Sequence, residues 1–217
     1  GWIGLVRALP VSLLAIAGGQ IADRFNRRSV MVVMLGVSLA VALGLAAAVA
    51  WKLPLAVIYA LLGLGAVSQA LGGPSRAALL PQIVPAEVFP NAVTWNTTVF
   101  QVAAMTGPAA GGYLLGWTGS AADCFLMVAL CRLIALGAMA GVRGGTRPAS
   151  EEAVSWQSVV AGVRFVWDNK LILAAITLDL FAVLLAGVTY LLPVFAEDIL
   201  CVGAQGLGLL QSAEAVG

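Results

Sequence analysis

Long apolar runs, separated by short polar links, limit the fold of this chain more than any other feature. They cover about residues 2–22, 29–50, 54–74, 91–117, 121–142 and 171–193, and a further run starts at about 204–217. A helix needs about 20 mostly apolar residues to cross a bilayer, and the first six runs are that long. Strands of a membrane barrel alternate in polarity, whereas these runs do not. We therefore predict an all-α membrane protein with about six spans and a truncated seventh.

The composition agrees with a lipid environment. Hydrophobic residues make up 61% of the 217 residues, charged residues only 10%, and the mean hydropathy is +1.02. A soluble domain carries about 25% charged residues, so water cannot cover most of this surface. The chain begins at Gly1 and ends at Gly217 inside apolar runs. We interpret both ends as truncations of a longer protein.

The cations are concentrated on alternate links, and this indicates which links share a side of the membrane. One side receives Arg24, Arg27, Arg28, Arg76, Arg143, Arg147, Arg164 and Lys170. The other side receives Lys52 as its one cation, together with Asp123 and Glu197. Cytoplasmic links carry the excess of Lys and Arg, so the first side is predicted to be cytoplasmic. Trp51 and Trp117 then lie at the outer interface, where aromatic residues are enriched.

The longest link, residues 143–170, divides the chain into two bundles. Within it, the apolar residues of 155–167 recur at helical spacing, which predicts an amphipathic helix on the membrane surface. We predict residues 1–142 as most of an N-terminal bundle, 143–170 as a cytoplasmic linker and 171–217 as the start of a C-terminal bundle.

Several kinds of functional site lack their residues in this sequence. There is no histidine, and Cys124, Cys131 and Cys201 have no metal-binding spacing. This argues against haem, metal and His-based catalytic sites, so we predict no catalytic residue, no metal and no cofactor. The formal net charge of +1 argues against a nucleic-acid surface, and no phosphate-binding Walker loop is present.

The link between the first two runs carries a specific pattern. Gly19 is followed by Asp23, Arg24, Arg27 and Arg28 in the spacing G-x-x-x-D-R-x-x-R-R. This resembles the loop between the second and third helices of the major facilitator superfamily. The helix dipole disfavours a carboxylate at a helix C-terminus, so Asp23 needs cationic or helix N-terminal partners. The resemblance implies that these residues form a gating latch on the inside face; an ordinary positive-inside loop is the alternative.

The fourth run contains the stretch Gly107-Pro108-Ala109-Ala110-Gly111-Gly112. It resembles the GPxxGG core of the superfamily's fifth-helix motif, which is found mainly in exporters that work as antiporters. Pro108 bends the helix because it has no N–H, and Gly107 and Gly111 form a groove of small residues. The resemblance implies a packing hinge in which Gly107 and Gly111 lie against residues 206–217. A packing kink without further meaning is the alternative.

Residues 73–85, 192–196 and 206–210 are similar to one branch of the superfamily, the transmembrane secretion effectors, which includes the enterobactin exporter. In that register the chain runs from helix two into helix eight of a twelve-helix protein. Many proton-coupled exporters carry an arginine within the fourth helix, and here the run 54–73 has none. Arg76 follows at its cytoplasmic end, where it can pair with Asp23.

Ionisable residues inside a membrane span are costly and are functional candidates by default. The candidates here are Arg7, Arg132, Asp179 and Glu214. One interpretation is that they line a central cavity and bind substrate or carry protons. The alternative is that they form structural ion pairs or extend to the membrane surface. Arg76 and Gln101 are further candidates. Asn96, Thr97, Thr98 and Thr106 of the fourth run either hydrogen-bond to neighbouring helices or face the cavity, and we favour the first.

The resemblance implies a secondary active transporter in the inner (plasma) membrane that works by alternating access between two six-helix bundles. It implies export of a small molecule, such as a drug or siderophore, with the proton as coupling ion. The alternatives are a nutrient importer of the same superfamily and a membrane-embedded enzyme. The expected partners are a small-molecule substrate, protons and the lipid bilayer, with no nucleic acid.

Overall fold

The computed structural model describes residues 14, 26–142, 164–185 and 191–215, and these ranges contain helices and turns but no strand. We number the helices of at least twelve residues in chain order. They are α1 (Arg27–Ala50), α2 (Leu55–Ile83), α3 (Phe89–Thr118), α4 (Ala121–Gly141), α5 (Lys170–Leu185) and α6 (Gly203–Glu214). The prediction of an all-helical protein is confirmed for the described residues.

Helix α1 has clear local signals at both ends. The side chain of Asn26 accepts a hydrogen bond from the backbone N–H of Arg28 at 3.0 Å, as an N-cap residue does. The helix ends at Ala50, and Lys52 adopts a positive φ of 52° in the turn that follows. Pro54 precedes the first residue of α2 and has no N–H to leave unpaired. The predicted link at Trp51–Pro54 is therefore confirmed.

Helix α2 is longer than the apolar run from which it was predicted. It continues through Pro74 and Pro81 as far as Ile83, so residues 76–83, which the sequence assigned to the link after this run, are helical. Proline interrupts a helix less strictly in membrane proteins, where neighbouring groups satisfy the freed backbone carbonyls. The residues between the two prolines, Ser-Arg-Ala-Ala-Leu-Leu, mostly favour helix.

Among the described residues, α1, α2 and α4 are long and apolar enough to cross a membrane. Helix α3 has 30 residues but is less apolar, because several polar side chains and glycines lie along it. Its bounds agree with the predicted run 91–117 to within two residues, and α4 agrees similarly with 121–142. The predicted run 2–22 lies outside the described residues, so the total number of spans stays a prediction.

The chain divides into two compact units: Gly1–Thr98 with Thr118–Glu151, and Val99–Trp117 with Glu152–Gly217. In the first unit, α1 packs against both α2 and α4. Small side chains at Ala42, Ala46 and Ala48 are buried in this packing, which lets the helix backbones approach closely. The hydroxyl of Ser68 on α2 donates to the carbonyl of Met34 on α1 at 2.8 Å and adds a polar link between the two helices.

The second unit contains residues 99–117 of α3, helix α5, a short helical stretch and α6. The short stretch is one α-helical turn, Leu192–Val194, that continues as a π-helical turn, Phe195–Ile199. Cys201 and Gly203 then take positive φ angles of 52° and 64° before α6 begins. Of the predicted amphipathic helix, residues 164–167 are helical, while 155–163 lie outside the described residues.

Candidate functional site

The two described arginines of the G-x-x-x-D-R-x-x-R-R pattern lie in the first turn of α1 and reach neighbouring helices. Arg27 donates from Nη1 to the carbonyl of Ala78 on α2 at 3.1 Å. Arg28 donates from Nη2 to the carbonyl of Ala140 on α4 at 2.9 Å. Since α4 ends at Gly141, the carbonyl of Ala140 has no partner further along its own helix. Arg28 supplies that partner, and its positive charge also interacts favourably with the negative end of the dipole of α4.

These contacts define which helix ends lie together in the first unit. The start of α1 and the ends of α2 and α4 meet at one end of the unit, which we call the basic end; it carries Arg27, Arg28 and Arg76. Lys52 lies in the turn at the opposite end of α1. The cations that the sequence assigns to opposite sets of links therefore lie at opposite ends of α1 in the folded unit. Gly19, Asp23 and Arg24 lie outside the described residues.

Gly112 of the fifth-helix motif makes a close backbone approach to α6 within the second unit. A Cβ atom at Gly112 would lie 2.5 Å from the carbonyl oxygen of Ala204 and 3.0 Å from Cα of Gly208 on α6. A Cβ atom at Gly208 would lie 2.5 Å from the carbonyl oxygen of Pro108 and 3.1 Å from Cα of Gly112. No side chain larger than hydrogen fits at either position unless the two backbones separate.

This contact corrects the face that the sequence predicted. A Cβ atom at Gly107 or Gly111 would meet no described atom within 4 Å, so the contact with α6 is not built on those two glycines. The pair Pro108 and Gly112 lies one residue further along α3, a rotation of about 100° around the helix. The structure places the contact of the GPxxGG stretch one residue later than the sequence predicted.

Four threonines of α3 donate hydrogen bonds from their hydroxyl groups within the helix itself. Each donates to the carbonyl four residues earlier, at 2.8 to 3.0 Å. These residues are Thr94, Thr97, Thr98 and Thr106. Such bonds leave the hydroxyl with no need for a partner on another helix. In the described part of the chain these hydroxyls donate within α3, and the favoured interpretation of Thr97, Thr98 and Thr106 as residues that hydrogen-bond to neighbouring helices stays a prediction.

A groove at the basic end brings Arg76 of α2 together with Asn96 of α3. It measures about 280 Å³, and its other walls are mostly apolar, with Leu80 and Ile83 among them. Arg76 was a candidate from the sequence, whereas Asn96 was interpreted as a helix-packing residue. No pattern along the sequence joins them, because they lie on different helices and share this groove only in the folded chain.

None of the remaining candidates among the described residues lines this groove. Arg132 on α4 belongs to the first unit and Asp179 on α5 to the second, and both side chains are exposed, as is that of Gln101 on α3. Glu214 is the last residue of α6, and Arg7 lies outside the described residues. Within the described ranges, no three acidic or cysteine side chains come together as metal ligands.

Comparison with known proteins decides the family. The family described as transmembrane secretion effector, a branch of the major facilitator superfamily, matches residues 3–217. The chain belongs to this family. The resemblance of the chain to this superfamily is thereby confirmed, and the chain belongs to a family of multi-pass membrane transporters.

Two curated relatives of this secretion-effector chain are also transporters of the superfamily. The staphyloferrin A transporter of Staphylococcus aureus is 26% identical over 138 residues, which cover 63% of this chain and 34% of that protein. The uncharacterized MFS-type transporter y4rN of Sinorhizobium fredii is 30% identical over 139 residues, which cover 60% of this chain and 33% of that protein. The matched part of the chain thus spans about a third of each relative.

Proposed function

We propose that the full-length protein exports a small molecule of the drug or siderophore type across the inner membrane in exchange for protons. Membership of the transmembrane secretion effector family supports transport. The name of one relative, a staphyloferrin A transporter, supports a siderophore-like substrate. The GPxxGG stretch supports export by antiport, because it resembles a motif found mainly in exporters of that kind.

The observation that carries this proposal is the backbone contact between Gly112 and Gly208. In the proposed domain division, α3 belongs to the N-terminal bundle and α6 to the C-terminal bundle, so this contact links the two. Alternating access requires the two bundles to change their relative orientation around a central site. A contact made only of backbone can open and close as a rigid surface, because no side-chain rotamer has to change.

A transport assay on the full-length gene product tests the direction and the energy source. In inverted membrane vesicles, an imposed proton gradient should drive uptake of a fluorescent drug or an iron chelator, and a protonophore should abolish it. Uptake in right-side-out vesicles under the natural gradient would favour the importer instead. Chemical conversion of the compound without net movement would favour a membrane-embedded enzyme.

We further propose that the basic end faces the cytoplasm and that Asp23 acts there as a latch with Arg27 or Arg76. The two states of the transporter need differ in this interaction by only about 1–3 kcal/mol for their ratio to change about 5- to 150-fold. Asp23→Asn should therefore leave expression and substrate affinity near normal but strongly reduce turnover, as measured by transport rate in vesicles.

Arg27→Ala is the companion variant for this latch. It should reduce turnover to a similar degree, and the double variant should lose less than the sum of the two single losses if the residues act as a pair. A wild-type transport rate in Asp23→Asn would show that the loop only anchors the topology.

A further inference from the structure

The groove between α2 and α3 at the basic end lies at the level of the lipid headgroups. Counted from Leu55, about 20 residues bring α2 to Pro74, two residues before Arg76. Counted back from Thr118, about 20 residues of α3 reach Val99, three residues beyond Asn96. Both polar residues therefore lie just outside the hydrocarbon core, on the same side of the membrane.

Two polar groups in this groove have hydrogen-bonding capacity left over. Arg27 and Arg28, at the same end, donate to backbone carbonyls of α2 and α4. Among the residues that the structure describes, the guanidinium of Arg76 and the side-chain amide of Asn96 make no hydrogen bond and no ion pair. A cation and an amide thus line the same groove without a partner among the described residues, which do not include Asp23.

The shape and the walls of the groove fit an amphipathic anion that is only partly enclosed. Its volume of about 280 Å³ is at the lower limit for a pocket that encloses a drug-sized ligand, which needs about 300 to 1,000 Å³. Leu80 and Ile83 provide apolar walls beside Arg76, and Ile83 is 38% exposed. A headgroup can lie in this space while its acyl chains continue along the helices into the bilayer.

The charge of the surroundings favours an anionic lipid over a neutral one. The basic end carries three arginines, and Glu87, in the short helical turn before α3, is the described acid nearest to them in sequence. Basic pockets between membrane helices recognise anionic headgroups through such arginines. We propose that the groove binds an anionic phospholipid, with the phosphate on Arg76, an ester or hydroxyl oxygen on the amide of Asn96, and acyl carbons along Leu80 and Ile83.

Two variants separate the charge of the groove from its volume. Arg76→Gln removes the cation and keeps a polar side chain. Gly73→Leu fills the groove without changing its charge, and it fits sterically because a Cβ atom at Gly73 would meet no described atom within 4 Å. Lys52→Gln is the matched control, since it removes one exposed cation at the opposite end of α1.

The experiment is native mass spectrometry of the full-length protein, titrated with phosphatidylglycerol and, separately, with phosphatidylethanolamine of the same acyl chains. Arg76→Gln should lower phosphatidylglycerol binding about fivefold, the contribution of one cation near an anionic surface. Gly73→Leu should lower it to a similar degree, and Lys52→Gln should leave it unchanged. Phosphatidylethanolamine should bind more weakly to the wild type and respond less to Arg76→Gln. Gel filtration confirms that each variant is folded.

Three results would overturn the proposal. The first is wild-type phosphatidylglycerol binding in both Arg76→Gln and Gly73→Leu. The second is full displacement of the lipid by an excess of inorganic phosphate, which would make the groove a plain anion site. The third is unchanged lipid binding combined with a loss of transport in both variants, which would assign the groove to the path of the transported molecule.

Discussion

The two units use glycine in different ways to bring helices together. In the first unit, a Cβ atom at Gly44, Gly65 or Gly72 would meet side-chain atoms of Leu61, Val41 or Met34 at 3.1 to 3.4 Å. In the second unit, a Cβ atom at Gly112 or Gly208 would meet backbone atoms at 2.5 Å. Side chains can shift by a few tenths of an ångström, whereas a helix backbone can move only together with its helix.

This difference separates packing that tolerates change from packing that does not. The glycines of the first unit widen a contact between helices that also rests on buried alanines, valines and leucines and on the hydrogen bond from Ser68 to Met34. At Gly112 and Gly208 the contact between α3 and α6 has no room for a methyl group, whereas at Gly116 the neighbour is the flexible side chain of Gln205. The proposed hinge in the second unit and the static packing of the first unit should therefore differ in how well they tolerate a glycine-to-alanine substitution.

Gly112→Ala should have the largest effect. The added methyl group would overlap the carbonyl oxygen of Ala204, and overpacking of this kind costs about 1–3 kcal/mol. We expect the thermal unfolding temperature of the purified protein to fall and the transport rate to drop about tenfold or more. Gly208→Ala should act similarly, because its methyl group would overlap the carbonyl oxygen of Pro108.

Gly111→Ala is the matched control for that prediction. It adds the same methyl group to the same helix, but no described atom lies within 4 Å of it. Its stability should equal or slightly exceed that of the wild type, because alanine favours helix over glycine by up to about 1 kcal/mol. Equal losses in Gly111→Ala and Gly112→Ala would remove the difference between the two faces of α3.

Ser68→Ala tests the polar link in the first unit and should have an intermediate effect. Its hydroxyl is 5% exposed and donates to another helix, so its removal should cost about 0.6 kcal/mol, the average for such bonds between membrane helices. Thr97→Ala is the control, because that hydroxyl bonds within its own helix. Unfolding in a graded denaturant series measures both, and equal stabilities would contradict the assigned role of Ser68.

Gly65→Ala should have the smallest effect and the opposite sign. Its methyl group would contact Val41 at 3.4 Å, an ordinary van der Waals distance, so the gain in helix propensity should stabilise the protein by a few tenths of a kcal/mol. Gly72→Ala, at 3.2 Å from Cβ of Met34, should gain less or lose slightly. Destabilisation by Gly65→Ala as large as that by Gly112→Ala would show that the first unit tolerates methyl groups no better than the second.

The sequence predicted the elements of this fold better than their ends. The bounds of α3 and α4 followed from the apolar runs, and the turn at Trp51–Pro54 followed from its polar and proline residues. The extension of α2 to Ile83 was not predicted, because the run was bounded by its apolar residues and Arg76 was assigned to the link that follows. That inference treats the helix alone, while the packing of α1 against α2 stabilises the helix beyond Pro74.

The candidate site was predicted in part. The sequence identified the GPxxGG stretch and the basic residues of the first loop, because both are patterns along one segment. The bonds of Arg27 to Ala78 and of Arg28 to Ala140 had no such signal, since any backbone carbonyl can accept from arginine. The pairing of Arg76 with Asn96 in one groove likewise depends on how two helices lie side by side.

By itself, the sequence determined that the chain is helical, that it lies in a membrane and that its cations concentrate on alternate links. These properties follow from the length and polarity of each segment, which the bilayer acts on directly. Only the tertiary structure decided which side of α3 meets α6. Gly107 with Gly111 and Pro108 with Gly112 are small pairs at the same spacing, so α3 alone does not distinguish them. The choice depends on Gly208 and the carbonyl of Ala204, because a close approach needs a bare backbone on both helices at the same height.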